Sequence, residues 1–282
     1  MPHDSSRHSI PAHPEPLPIP LVDNHTHLDI VRDDAPSLSL DDALAAAAAV
    51  GVTKLVQIGC DVEAAEISVR MAHEHPAIVA GVALHPNEAP RLAQSGGLAA
   101  AYDRIAELAR DPRVRTIGET GLDYYRTGPD GREVQHEAFR WHIALAKELG
   151  KPLQIHDRDS HDDILAVLDD AGAPEQVVMH CFSGDAAFAQ ACLERGFYLS
   201  FAGPITFKNN HALRDALAVT PLERVLLETD APYLTPHPWR GAVNSPYLLA
   251  LTARSAATVL GIAVAHLCEA VGATAEEFYG PW

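Results

Sequence analysis

Two histidines one residue apart, His25 and His27, close the apolar stretch Pro20-Leu21-Val22-Asp23-Asn24. On a strand, side chains alternate faces with a period of two, so both imidazoles project to one side, with Asp23 below them. Neutral imidazoles converging from one strand end chelate a divalent cation. Taken alone, a His-x-His pair reads better as the solvated end of a polar strand, because so short a motif recurs by chance. Later stretches of the same kind change the balance. Apolar runs are followed by His85, by Glu119 within Gly118-Glu119-Thr120-Gly121-Leu122-Asp123, by His156-Asp157-Arg158, by His180-Cys181-Phe182-Ser183 and by Glu228-Thr229-Asp230. Imidazoles and carboxylates in this number can hold two divalent ions, and a centrally placed carboxylate such as Glu119 can bridge them. Two-metal sites suit hydrolysis. Each residue also has a plainer reading. Glu119 can start a loop, His156 and His180 can be satisfied core histidines, and Asp230 before Ala-Pro can be a turn residue. Their joint recurrence at strand ends favours the metal site.

Positioning these groups requires strands whose ends share one side. Eight short apolar runs qualify: Leu21–Asn24, Lys54–Ile58, Ile78–Leu84, Val114–Gly118, Pro152–Ile155, Val177–Met179, Phe197–Phe201 and Val225–Leu227. Helical patterns alternate with them at Leu40–Val50, Ala64–Glu74, Leu98–Arg110, Glu133–Leu149, Asp159–Asp170, Asp185–Arg195 and Asn209–Val219, with more helix at Ser245–Leu260 and Val264–Val271. Alternation of this kind implies parallel strands with helical crossovers. Eight units over roughly 250 residues predict an α/β protein of the (β/α)8 TIM-barrel type, with the active site at the C-terminal ends of the strands. An open doubly wound sheet is the alternative, but no glycine-rich phosphate loop follows the first strand. Gly51, Gly150, Gly172 and Gly196 stand where helix-ending glycines are expected. Residues 20–282 read as one domain. Residues 1–19 carry five prolines, lack the apolar core of a signal peptide, and read as a disordered extension.

The 282 residues are 47% hydrophobic and 21% charged, an ordinary globular composition. No apolar run is long enough for a membrane span. A net charge of −17 argues against a broad basic groove for duplex DNA. It leaves room for a local phosphate site, because bound cations invert the field where they sit. The four cysteines form no C-x-x-C pair and suit reduced thiols in a cytoplasmic enzyme. A monomer is the simplest expectation.

Val22–Asp29, Gly81–Pro86, Ile117–Arg126, Leu153–Asp159, His180–Gly184, Ser200–Phe207 and Leu227–Asn244 together resemble the TatD-type metal-dependent deoxyribonucleases, within the amidohydrolase-like barrels. The resemblance runs from about residue 20 to the C-terminus. It implies a first metal held by His25, His27, Glu119 and Asp230, and a second held by Glu119, His156 and His180. It also implies stepwise removal of nucleotides from the 3′ ends of DNA, single-stranded or frayed. The metal is Zn, Mn, Mg or Fe, a histidine-rich shell favouring the transition metals over Mg. On this reading Asp230 orients and deprotonates the attacking water, and Glu119 is the bridging catalytic carboxylate. His85, Arg158, Ser183 and Arg240 are candidates for the phosphate or sugar, and Tyr124 and Tyr233 for stacking on a base. For Arg158 a surface salt bridge with Asp157 or Asp159 is an equal alternative. Asp157 departs from the small residue usual in the family and would add negative charge near the second metal. Two other functions remain in view. One is hydrolysis of a small lactone, amide or phosphoester, which lysine-bridged barrels of the wider superfamily carry out; Glu119 stands where that lysine would. The other is non-catalytic nucleic-acid binding, which the acidic charge disfavours.

Overall fold

The apolar runs form strands buried along nearly their whole length, as parallel strands covered on both faces must be. They are β1 (Leu21–Thr26), β2 (Val52–Gly59), β3 (Ile78–Val82), β4 (Val114–Asp123), β5 (Leu153–Arg158), β6 (Val177–Met179), β7 (Tyr198–Phe201) and β8 (Val225–Leu227). The computed structural model describes residues 10–32 and 36–282. Its strands lie in one eight-stranded sheet in chain order, β1 to β8, and alternate with helices. This is the topology of a (β/α)8 TIM barrel. The helices are α1 (Leu40–Ala49), α2 (Val62–Glu74), α3 (Glu88–Ser95), α4 (Leu98–Leu108), α5 (Pro129–Leu149), α6 (His161–Ala171), α7 (Ala186–Glu194), α8 (His211–Val219), α9 (Leu249–Leu260) and α10 (Val264–Tyr279). Among the described residues no single helix is long and apolar enough to cross a membrane.

The chain divides into two compact units. The first comprises Met1–Val56, Gly184–Gln190 and Ser200–Glu277. In it β1 and β8 run side by side, with Asp230 N donating to His25 O at 2.9 Å and His27 N to Ala231 O at 2.7 Å. Helix α1 starts where Ser39 caps it, its hydroxyl accepting from Asp42 N at 3.2 Å. Residues 10–19 differ from the expected disordered extension. Leu17 is buried and its N donates to Val50 O at 2.9 Å. The Tyr247 hydroxyl donates to Pro11 O at 2.7 Å, and Arg254 donates to the carbonyls of Glu15 and Pro16 at 2.8 and 2.9 Å. The proline-rich backbone is fastened through its carbonyls by donors far along the chain, which composition does not reveal. Residues 1–9 of that expectation lie outside the described residues.

The second unit comprises Gln57–Ser183, Ala191–Leu199 and Phe278–Trp282. Here β3, β4, β5 and β6 pair in parallel. Both β4 and β5 run further than their apolar runs predict: Thr120, Gly121, Leu122 and Asp123 pair with Ile155, His156, Asp157 and Arg158 after a register shift. Backbone pairing, not apolar content, carries the strands into their polar ends. Two glycines permit this approach. A Cβ on Gly118 would lie 2.5 Å from Gln154 Cβ, and one on Gly121, at φ +141°, would lie 2.0 Å from His156 O. Helix α5 begins four residues earlier than its apolar pattern, at Pro129, whose fixed φ suits a first helical turn. Helix α3 has no counterpart in the apolar pattern; its eight residues contain Pro90 in the first turn.

Candidate active site

The first unit gathers one donor cluster from the ends of β1 and β8. His25 Nε2 and His27 Nε2 face one another at 3.2 Å, and Asp230 Oδ1 stands 3.4 Å from His27 Nε2 and 4.0 Å from His25 Nε2. Strand alternation brings the two imidazoles together, as their spacing implied. Asp230 sits at φ +55°, a left-handed conformation that Asp tolerates better than most residues. The turn is held from below. Fully buried Asp23 accepts from Thr229 N at 2.9 Å and from the Thr229 hydroxyl at 2.5 Å, and Thr229 Oγ1 in turn accepts from Ala231 N at 3.2 Å. Burial pushes the Asp23 carboxyl up to about 8, against the hydrogen bonds from Thr229 that lower it. Beside it, Glu228 Oε2 accepts from Ser200 Oγ at 2.5 Å and Asn24 Nδ2 at 3.2 Å.

The second unit gathers another cluster around Glu119. Its Oε1 lies 2.5 Å from His156 Nδ1, 3.1 Å from His180 Nε2 and 3.5 Å from His85 Nε2. Burial alone would raise the Glu119 carboxyl, but the imidazoles of His180, His85 and His156 outweigh it and hold it well below its usual range. Burial lowers His85, Glu119 opposing it only in part. For His156, burial works downward but Glu119 and Asp123 dominate and push it up to about 8. Asp123 Oδ2 reaches His156 Nε2 at 3.3 Å and accepts from Asn87 Nδ2 at 2.9 Å.

The structure sorts the remaining candidates. His85, expected as a phosphate or sugar contact, stands within the Glu119 cluster. Arg158 makes no ion pair among the described residues; its guanidinium lies 3.9 Å over the Tyr125 ring. Ser183 is exposed, and nothing ties it to the cluster among the described residues. Arg240 packs 4.2 Å over Phe207 in the first unit. Tyr233 stays near the first cluster, its ring centroid 6.4 Å from that of His27. Tyr124 is committed elsewhere: Arg132 covers its ring at 4.0 Å, and its hydroxyl donates to Asp163 at 2.5 Å. The Asp157 carboxylate accepts from Ser160 Oγ at 2.8 Å and pairs with His161 Nδ1 at 2.6 Å, so it braces the start of α6. Two neighbours escaped the sequence reading. Cys60 Sγ donates to Glu119 Oε2 at 3.5 Å, and Asp123 orders His156. The end of β2, Gly59-Cys60-Asp61, carried the signal for Cys60, since it too is a strand end.

Both clusters suit divalent ions by their donor chemistry. In each, at least three His or carboxylate donor atoms lie within 4.8 Å of one another: His25, His27 and Asp230, and His85, Glu119 and His156. Facing imidazole nitrogens and carboxylate oxygens offer lone pairs that a cation satisfies together, and they must release protons to do so. Mixed nitrogen and oxygen donors suit Zn, Mn or Fe.

Parallel barrel strands ending in such clusters are the build of a metal-dependent hydrolase. A family model described as "TatD related DNase" matches residues 22–280, and the chain belongs to that family. It is 46% identical to an uncharacterized metal-dependent hydrolase TatD of Mycobacterium tuberculosis, covering 85% of this chain and 90% of that one. It is 33% identical to a 3′-5′ ssDNA/RNA exonuclease TatD of Salmonella typhimurium, over 70% of this chain and 74% of the other. Among solved structures, the YjjV TatD homologue of Escherichia coli superposes with a TM-score of 0.83 at 25% identity, covering 93% of this chain and 98% of that one.

Proposed function

We propose that this chain is a two-metal exonuclease that shortens single-stranded or frayed DNA from its 3′ ends. The observation that carries this reading is the pair of donor clusters, one at the ends of β1 and β8 and one around Glu119. The exonuclease name of the Salmonella relative supports the substrate class. His25, His27 and Asp230 would hold one ion, and His156 and His180 with Glu119 the other; the family resemblance makes Glu119 a ligand of both. His85 Nε2 lies 3.5 Å from Glu119 Oε1, beside these ligands. Bound divalent ions would lower the pKa of a water and offset charge on the phosphoryl oxygens.

The residues themselves supply orientation and proton handling. Asp230 has only 14% of its side chain exposed, and the Asp23–Thr229 pair fixes its turn, so its carboxylate is held in one pose to accept a proton from the attacking water. The same group then returns that proton towards the leaving 3′ oxygen. Asp123 holds His156 in orientation through Nε2, leaving Nδ1 towards Glu119. Cys60, Cys181, Cys192 and Cys268 form no disulfide among the described residues, which fits a cytoplasmic setting. Substituting Asp230→Asn tests the assignment. Turnover on an end-labelled oligonucleotide is expected to fall by a factor of about 100 or more, with a far smaller change in KM. Near-normal turnover at saturating metal would remove Asp230 from the proton path.

A further inference from the structure

Beside the Glu119 cluster, the second unit presents an aromatic side chain that is largely exposed. Tyr125, just beyond β4, is 65% exposed. Exposed tyrosines are ordinary on mobile loops, but this one is tethered. Asp123 Oδ1 accepts from Tyr125 N at 3.0 Å and from Arg126 N at 2.8 Å. The other oxygen of the same carboxylate reaches His156. One buried carboxylate thus registers the ring against a residue of the donor cluster. Arg158, two residues beyond His156 on β5, lays its guanidinium 3.9 Å over the ring, and Tyr124 N donates to Arg158 O at 2.9 Å. In a chain of net charge −17, neither Arg126 nor Arg158 forms an ion pair among the described residues.

Such a pairing has a chemical use. A fixed aromatic face takes any nucleobase, because each has a π surface, while an unpaired guanidinium takes a phosphodiester. We propose that Tyr125 and Arg158 form a stacking step for one nucleotide near the 3′ end of the substrate, Tyr125 receiving the base and Arg158 a neighbouring phosphate. This rests on the nuclease reading above and adds its selectivity. A base inside a duplex has both faces covered by its neighbours and must be unstacked to reach the ring. The step therefore selects single-stranded or frayed ends without a base-specific hydrogen bond. Tyr125, not Tyr124, is the residue for the task, since Tyr124 is less exposed and its hydroxyl is bound to Asp163 and His136.

Binding of an oligothymidylate of about ten nucleotides, its 3′ linkages phosphorothioate-protected and its 5′ end fluorescent, tests this by anisotropy on the metal-loaded protein. Tyr125→Leu is expected to weaken binding about ten-fold and Tyr125→Phe to keep it near wild type. An abasic residue walked through the last few 3′ positions should cost the wild type a similar factor at one position and cost Tyr125→Leu nothing there. Arg158→Gln should flatten the log–log salt slope by about 0.7. Unchanged affinity in Tyr125→Leu, or a persisting abasic penalty in that variant, overturns the stacking step while wild-type binding leaves the nuclease reading standing. If the wild type binds no oligonucleotide, both fall together.

Discussion

Replacing Gly121 by Ala tests how tightly the fold and the candidate site are joined. Gly121 lies on β4 opposite His156 of β5, and its φ of +141° belongs to a region that side chains rarely enter. Forcing alanine into that conformation costs about 1–3 kcal/mol. The new methyl would also meet His156 O at 2.0 Å, a backbone atom that cannot swing aside. Relief to the shortest tolerated contact requires the two strands to part by about 1 Å, which weakens at least one ladder hydrogen bond worth about 1 kcal/mol. The total is about 2–4 kcal/mol. Urea unfolding should show it as a lower midpoint at unchanged slope. Because His156 moves with the carbonyl, turnover should also fall, by about 100-fold for a displacement of this size. A Gly121→Ala protein within 1 kcal/mol of wild type, and equally active, would refute the claim that this close approach positions His156.

The Asp157–His161 pair gives a pH signature away from the clusters. The hydrogen bond that His161 donates to Asp157 raises His161 above its ordinary value, so the added stability is full below about 6.5 and is lost as pH rises through the folded-state value. NMR titration should place His161 above an unperturbed histidine and return it to normal in Asp157→Asn; an ordinary value in the wild type would contradict the pairing. Salt dependence gives another test. A chain of net charge −17 cannot track a long duplex, so a site gripping two or three phosphates of a single strand should show a log–log slope of roughly −1.5 to −2. A steep slope, measured by the same anisotropy assay, would point to an extended basic surface instead.

The sequence disclosed the barrel because each strand is a short buried apolar run followed by a helix with its own stop. It singled out His25, His27, Glu119, His156, His180 and Asp230 as candidates because each stands just beyond such a run, and the structure brings them near one another within their own units. Polar residues beyond a strand's apolar part were harder to read. Thr120 to Asp123 carry β4 onward through backbone pairing with β5, which propensity does not register. His85 and Cys60 approach Glu119 from β3 and β2, and only the ladder that aligns those strand ends makes them neighbours. Asp157 braces α6 in a way that its position beside a candidate ligand does not suggest. Its side chain points the other way along the alternating strand, to Ser160 and His161. The anchoring of residues 10–19 depends on Tyr247 and Arg254, whose partners in sequence are out of reach of any local pattern.

The claim at the centre is that two divalent ions, held by these residues, power cleavage from 3′ ends. Metal content of the purified protein and of Glu119→Ala and His156→Ala, read beside cleavage of linear and circular single-stranded DNA with and without chelator, tests it most directly. Two ions per chain are expected in the wild type, with both lost in Glu119→Ala and chiefly one in His156→Ala. Cleavage should stop on chelation, return with metal, shorten linear strands stepwise and spare circles. Metal-independent cleavage, rapid nicking of circles, or equal and partial metal loss in both variants would contradict it.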